Sequence, residues 1–262
     1  MFSREKRCLY ENNQLAEVIC QLRYPEILAV GANQPVDFQE AIRGEYPRYS
    51  VRNEVVSPKI SGTPGDLQVE KAQSKVNYQF VSQDGVWRVN LTNNFLSLTC
   101  SRYTSWEEFA KKLDLPLVAL IRVYKPAFFE RIGLRYMNFF SRKELSLEDV
   151  PYSELFTPPY LGLLADDELQ EKALNRNGVD AELLTPGGCR VKLHAGPGLV
   201  TRNGQKDPEP KFILDMDLYM GGNIPVNHSA NALETIHAQA FPIFRDAITR
   251  KLHEAMEPED II

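Results

Sequence analysis

Two arginines, Arg131 and Arg135, stand in the stretch FFERIGLRYMNFF (128–140) with Gly133 midway between them. Guanidinium groups keep their charge when partly buried and grip a carboxylate or phosphate through two parallel hydrogen bonds, so two of them on one strand face form the pattern of an anion cradle. Strand alternation puts Arg131, Gly133, Arg135, Met137 and Phe139 on one face, and Phe128, Glu130, Ile132, Leu134, Tyr136, Asn138 and Phe140 on the other. About 13 Å of strand separates the two arginine backbones, and Gly133 leaves room above the sheet where their side chains can converge.

Acidic groups suited to the same chemistry occur elsewhere. In KFILDMDLYM (211–220), Asp215 and Asp217 share a face with Ile213 and Tyr219, opposite Phe212, Leu214, Met216 and Leu218. Glu17 lies on the polar side of LAEVICQLRY (15–24). Buried or half-buried charges are normally paired, so these carboxylates supply a structural alternative to the anion cradle: a charge network across the sheet. The candidate ligand-binding set is therefore Arg131, Arg135, Glu17, Asp215 and Asp217, with network and ligand site as alternatives over the same residues.

Two aspartates on one strand face also suit a divalent metal or divided acid and base roles, as in a metal-dependent hydrolase or nucleotide-processing enzyme. The D-x-D spacing is short and common, and no further carboxylate motif accompanies it. The chain has no G-x-S-x-G, no phosphate-binding P-loop and no G-x-G-x-x-G following a strand, which removes the support for acyl transfer, P-loop chemistry and dinucleotide binding. Its four cysteines, Cys8, Cys20, Cys100 and Cys189, form no C-x-x-C pair, and its four histidines form no H-E-x-x-H. The glycines around His194 in HAGPG read as a bulge or turn before they read as an anion site. No catalytic residue, metal ligand or cofactor is assigned.

The elements that must position these residues follow from periodicity. LAEVICQLRY alternates as a strand; VDFQEAIRGEYPRY (36–49) has helical spacing and is stopped by Pro47; VRNEVVSP (51–58) is a further strand. VNYQFVS and VWRVNLTNNFLSLTCS read as two long strands joined at Asp84-Gly85, where glycine accepts the positive φ of a tight hairpin. Ser105 and Glu108 form a capping box at the start of a helix that Pro116 interrupts or restarts. With the strand at 128–140, residues 15 to 140 read β-α-β-β-β-α-β, close to a ferredoxin-like unit with one extra strand.

Beyond it, DDELQEKALNRNG (166–178) reads as a short helix ended by Gly178, a hairpin turns at TPGG (185–188), and TRNGQKDPEP (201–210) is an exposed loop. A long final helix starts at an Asn231/Glu234 capping box, carries Leu233, Ile236, Ala240, Phe244, Ile248 and Leu252 as one stripe, and kinks at Pro242. The expected class is α+β: a largely antiparallel sheet with helices packed on it, a ferredoxin-like half over 1–144 and a second α+β half over 145–262. The halves pack as one unit, and a second similar unit in tandem stays open.

At 262 residues, with 43% hydrophobic and 25% charged residues, the chain has enough apolar side chains for a sizeable core. A net charge of −5 gives no overall pull towards nucleic acid or anionic membrane. The strand at 128–140 interleaves aromatics with arginines, as a base-stacking sheet does, but it lacks an aromatic partner strand of ribonucleoprotein type, and nucleic acid is not the expected partner. The charged first 18 residues carry no signal-peptide core and no segment reaches a membrane-spanning length, so a soluble cytoplasmic protein is expected.

The blocks EVICQLRY, VNLTNNFLSLTCSRYTSWEEF, RIGLRYMNFF, ILDMDL and FRDAITRKLHEAM together resemble a sporadically distributed family of uncharacterised bacterial proteins of about this length. The resemblance covers most of the chain, least between 145 and 210. It implies a bacterial cytoplasmic origin and brings no activity, substrate or site residue with it. From the residues, the expectation is a non-enzymatic binding or interaction protein whose partner is a protein or a small anionic ligand; a homodimer stays open.

Overall fold

The computed structural model describes residues 2–55, 60–63, 66–69, 74–166, 168–202 and 204–260. In chain order the strands are β1 (Cys8–Tyr10), β2 (Leu15–Arg23), β3 (Arg48–Val55), β4 (Ile60–Thr63), β5 (Asp66–Val69), β6 (Ser74–Val81), β7 (Trp87–Leu91), β8 (Phe95–Cys100), β9 (Phe129–Phe140), β10 (Val179–Leu184), β11 (Arg190–Gly198), β12 (Thr201–Arg202), β13 (Gln205–Lys206), β14 (Lys211–Ile224) and β15 (Pro258–Asp260). The helices are α1 (Leu28–Ala32), α2 (Val36–Ile42), α3 (Trp106–Tyr124), α4 (Tyr152–Leu155), α5 (Ser229–Ala247) and α6 (Arg250–Ala255), with short 3-10 turns between them.

Nine strands make one sheet in the order β10-β11-β14-β9-β2-β8-β7-β6-β3, antiparallel at every step. The protein is α+β, with its helices on an antiparallel sheet. Helix α3 carries the chain from β8 over to β9 with β2 between them, the split arrangement of a ferredoxin-like unit. In the second half, β10, β11 and β14 follow one another as direct neighbours beyond β9, with no α-helix between them. That half extends the first sheet instead of repeating its strand-helix order: the chain passes from β9 to β10 at the sheet edge, and β11 and β14 then fill the places between and bring it back beside β9.

Alternation decides which face is apolar. Val18, Cys20 and Leu22 of β2, Ile132, Leu134 and Tyr136 of β9, and Leu214, Met216 and Leu218 of β14 are buried on one side. The helices cover that side: Phe109 of α3 packs on Trp87, Phe38 of α2 on Phe80, and Phe244 of α5 on Phe140. Phe156 stacks on Phe212 with ring centroids 3.7 Å apart, drawing the segment after α4 onto the same core.

Several local expectations need correction. The run from Val86 to Ser101 is two strands, not one, because Thr92–Asn94 turns: the Thr92 hydroxyl oxygen accepts from the Phe95 amide at 3.1 Å, and Tyr24 donates to the Thr92 carbonyl at 2.8 Å. Pro116 does not interrupt its helix, since α3 runs unbroken through it for 19 residues. Proline has no N–H for the Lys112 carbonyl four residues back, and the buried Tyr46 hydroxyl donates to that carbonyl instead, at 2.7 Å. Ser105 caps α3 by accepting from the Glu108 amide, but the Glu108 carboxylate turns to the Thr104 hydroxyl rather than closing the box.

Among the described residues of 166–178 the helical structure is a 3-10 turn, Glu171–Ala173, with Glu171 tied outward to Arg142 at 3.0 Å and to the Tyr152 amide. The final helix starts at Ser229, not at an Asn231 cap, and Glu234 accepts from the Trp106 indole at 2.9 Å. Pro242 lies within α5; the break falls at Ile248, after which Thr249 caps α6. In the expected loop 201–210, β12 pairs with β13. The end of the expected strand 51–58, past Val55, lies outside the described residues until Ile60.

Candidate functional site on the helix-free sheet face

The face opposite the helices carries charge in columns. Asp180 and Glu182 stand on β10, Arg190, Lys192 and His194 on β11, Asp215, Asp217 and Tyr219 on β14, and Arg131 and Arg135 on β9. Register sets neighbours across the columns: Lys192 is opposite Asp217, His194 opposite Asp215, Asp217 opposite Arg135 and Tyr219 opposite Gly133. Acidic and basic columns thus alternate across four adjacent strands.

The two arginines do not converge. Each leans towards the C-terminal end of β9 and takes its own aspartate. Arg135 skips its register partner and holds Asp215 through Nε at 2.8 Å and Nη2 at 2.5 Å. Arg131 reaches further, past the Gly133–Tyr219 pair, to place Nη2 at 2.6 and 2.8 Å from the two oxygens of Asp217. Gly133 makes this path available: a Cβ there would stand 2.5 Å from Arg131 Nη1. Tyr219 provides the other contact, with the Arg131 guanidinium 4.4 Å from its ring centroid.

Glu17 belongs to the face but joins neither arginine. It accepts from Arg88 of β7 at 3.2 Å, reaching over β8, where the small Thr99 stands between Ile19 and Arg88. Of the expected set, then, the fold brings Arg131, Arg135, Asp215 and Asp217 together and turns Glu17 the other way. The hydrogen bonds to Asp215 raise the Arg135 pKa further above its ordinary value, so this guanidinium is charged at any working pH.

Both aspartates have their oxygens directed at guanidiniums, which is the arrangement of the charge network. Among the described residues no group of three or more His, Cys, Asp or Glu side chains is gathered to hold a metal ion. His194 bonds Asp180 at 2.8 Å, with Nδ1 towards the carboxylate. Lys192, exposed on β11, makes no ion pair among the described residues and has its Nζ 5.9 Å from the Tyr219 ring. Tyr219, Lys192, His194 and Arg88 extend the charged face beyond the residues that spacing singled out. Tyr219 follows Asp217 by two positions and was available to the same alternation; the other three needed the pairing of strands distant in sequence.

No helix among the described residues is long and apolar enough to cross a membrane. No protein-family model and no curated protein matches the chain.

Proposed function

We propose that this chain is a non-enzymatic interaction protein that docks a partner protein on the helix-free face of β10, β11, β14 and β9. The observation that carries the reading is the alternation of acidic and basic columns already fixed in the free chain by the Arg131–Asp217 and Arg135–Asp215 pairs. A face of both signs complements a protein surface of both signs and gives a polyanion no continuous cationic track. Pairing before binding also lowers the ordering cost of long side chains at an interface. A small anion is a weaker fit, because it must displace an aspartate from a two-point grip. A metal-dependent hydrolase using Asp215 and Asp217 must likewise first break both arginine pairs.

The test places a photo-crosslinking residue at Lys192 or Tyr219 in the full chain, and a control at the exposed Val118 of α3, in the native cell. One partner protein captured from the sheet positions only, bound again by the purified chain and released by Lys192→Glu or by salt, is the expected result. Equal capture from Val118, or binding untouched by charge reversal, overturns the reading. Saturable binding of a polyanion that Lys192→Glu abolishes would replace the protein partner with nucleic acid or a related polymer.

A further inference from the structure

A second site lies on the opposite side of the sheet and is independent of the charged face. The segment before β2 crosses the C-terminal half of α5, held by the β1–β15 pairing and by Arg245 to Glu5 at 2.5 Å. Between this segment, α5 and the apolar ends of β9 and β14, a cavity of about 100 Å³ opens to the surface. Leu9, Leu15, Met216, Ala240, Phe241 and Phe244 give it an apolar wall. Its volume is less than the roughly 150 Å³ of an enclosed cavity that holds benzene, so a single ring would seat one edge here and leave the rest in the open mouth.

The polar side of the cavity has a direction that chemistry fixes. Arg7 Nη1 lies 2.6 Å from His237 Nε2, and arginine can only donate, so Nε2 accepts and the proton of the neutral ring sits on Nδ1. Nδ1 lies 3.0 Å from the Tyr136 hydroxyl and therefore donates to it. Tyr136, buried with its ring 6.1 Å from that of Tyr103 between centroids, takes that proton on its hydroxyl oxygen. The relay ends there. Tyr103 beside it lines the cavity, and its O–H is a neutral donor. Arg7 has its other amino group on Glu107 at 2.6 Å, so the cavity has the Tyr103 O–H as a neutral donor and no unengaged cation from this network.

We infer that this cavity is a binding site for a small uncharged ligand, one ring or a short branched chain bearing a single hydrogen-bond acceptor, received by the Tyr103 hydroxyl. Trp106, stacked on His237 with centroids 4.4 Å apart, forms a flat side of the same site.

The test titrates the intact chain with acetophenone, toluene and benzoate, following ligand-detected NMR. Acetophenone should bind saturably, toluene about five- to tenfold more weakly for want of one hydrogen bond, and benzoate weakest. Tyr103→Phe should bring acetophenone down to toluene and leave toluene unchanged. Ala240→Leu fills the cavity from α5 and Leu9→Trp from the opposite side; either should abolish binding with the fold intact. If both fail to fold, Tyr103→Phe, which removes one oxygen atom, still decides. Absence of saturable binding, binding unchanged in a folded filling variant, an acetophenone preference that survives Tyr103→Phe, or a preference for benzoate overturns the inference. None of these results bears on the charged face.

Discussion

Arg131 lies along its own strand across Gly133, so close that a Cβ on the glycine would meet Nη1 at 2.5 Å. The atom in the way is the far end of a flexible side chain, not backbone. Gly133→Ala should therefore fold and lose little stability, about 1 kcal/mol or less, while expelling Arg131 from Asp217. The checks are thermal unfolding for the first effect and the Arg131 guanidinium NMR resonances for the second. An unmoved Arg131 resonance in the alanine variant would refute this account of the glycine.

Tyr46 and Pro116 should be coupled although neither touches the charged face. The Tyr46 hydroxyl serves the Lys112 carbonyl that the proline leaves without an amide. Tyr46→Phe removes the donor and should cost about 1–2 kcal/mol in urea unfolding. Pro116→Ala restores an amide at the same carbonyl, so the double variant should lose less than the sum of the two single losses. Strict additivity would show that the hydroxyl and the proline are unrelated.

This pair marks one limit of reading the chain. Pro116 is visible as a helix breaker, but the hydroxyl that makes it tolerable comes from 70 residues earlier, since Lys112 and Tyr46 are joined only by tertiary structure. Short-range patterns that depend on few atoms survive: Gly85, at φ 77°, turns the hairpin its Asp-Gly pair announces, and the alternation in KFILDMDLYM sorts core from charge. Thr92–Asn94 is hidden inside a strand-like run because its turn is closed by Tyr24, the residue after β2 and distant in sequence. At the candidate site, alternation places the two arginines on one face and the two aspartates on one face. Which pairs with which is set by register and by the lean of each side chain, and Glu17 goes to Arg88 because the strand order puts β8 and β7, not β14, on that side of β2.

Removal of one member of the Arg131–Asp217 pair should have a modest effect. Its side chains keep 22% and 30% of their exposure, which places the pair between a surface bridge and a buried one. Asp217→Ala should cost about 1 kcal/mol, with less of that loss at high salt. Arg131→Ala should add little on top, because its main partner is already gone. A loss several times larger in urea unfolding would mean that the face is part of the folding core and would weaken its assignment as a docking surface.

His237 should give the chain an acid-sensitive step. Burial first, and the Arg7 guanidinium next, lower its pKa from 6.5 to about 4, while Glu107 of α3 opposes them. Tyr136 from β9 and the stacked Trp106 from α3 close the ring in without adding charge. Above pH 6.5 the ring is neutral folded or unfolded and contributes no pH dependence. Below it the unfolded chain takes up a proton that the folded chain refuses, so stability falls as the pH drops and levels off near pH 4, a total of about 3 kcal/mol. Protonation in the folded state also turns Nε2 from an acceptor into a donor facing Arg7, which breaks the first link of the relay to Tyr136. His237→Gln, which cannot titrate, should flatten the pH dependence of urea unfolding between pH 6.5 and 4, and the His237 ring resonances of the wild type should titrate near 4. A ring that titrates near 6.5, or a variant that keeps the full acid sensitivity, would show that the Arg7 contact does not hold in solution.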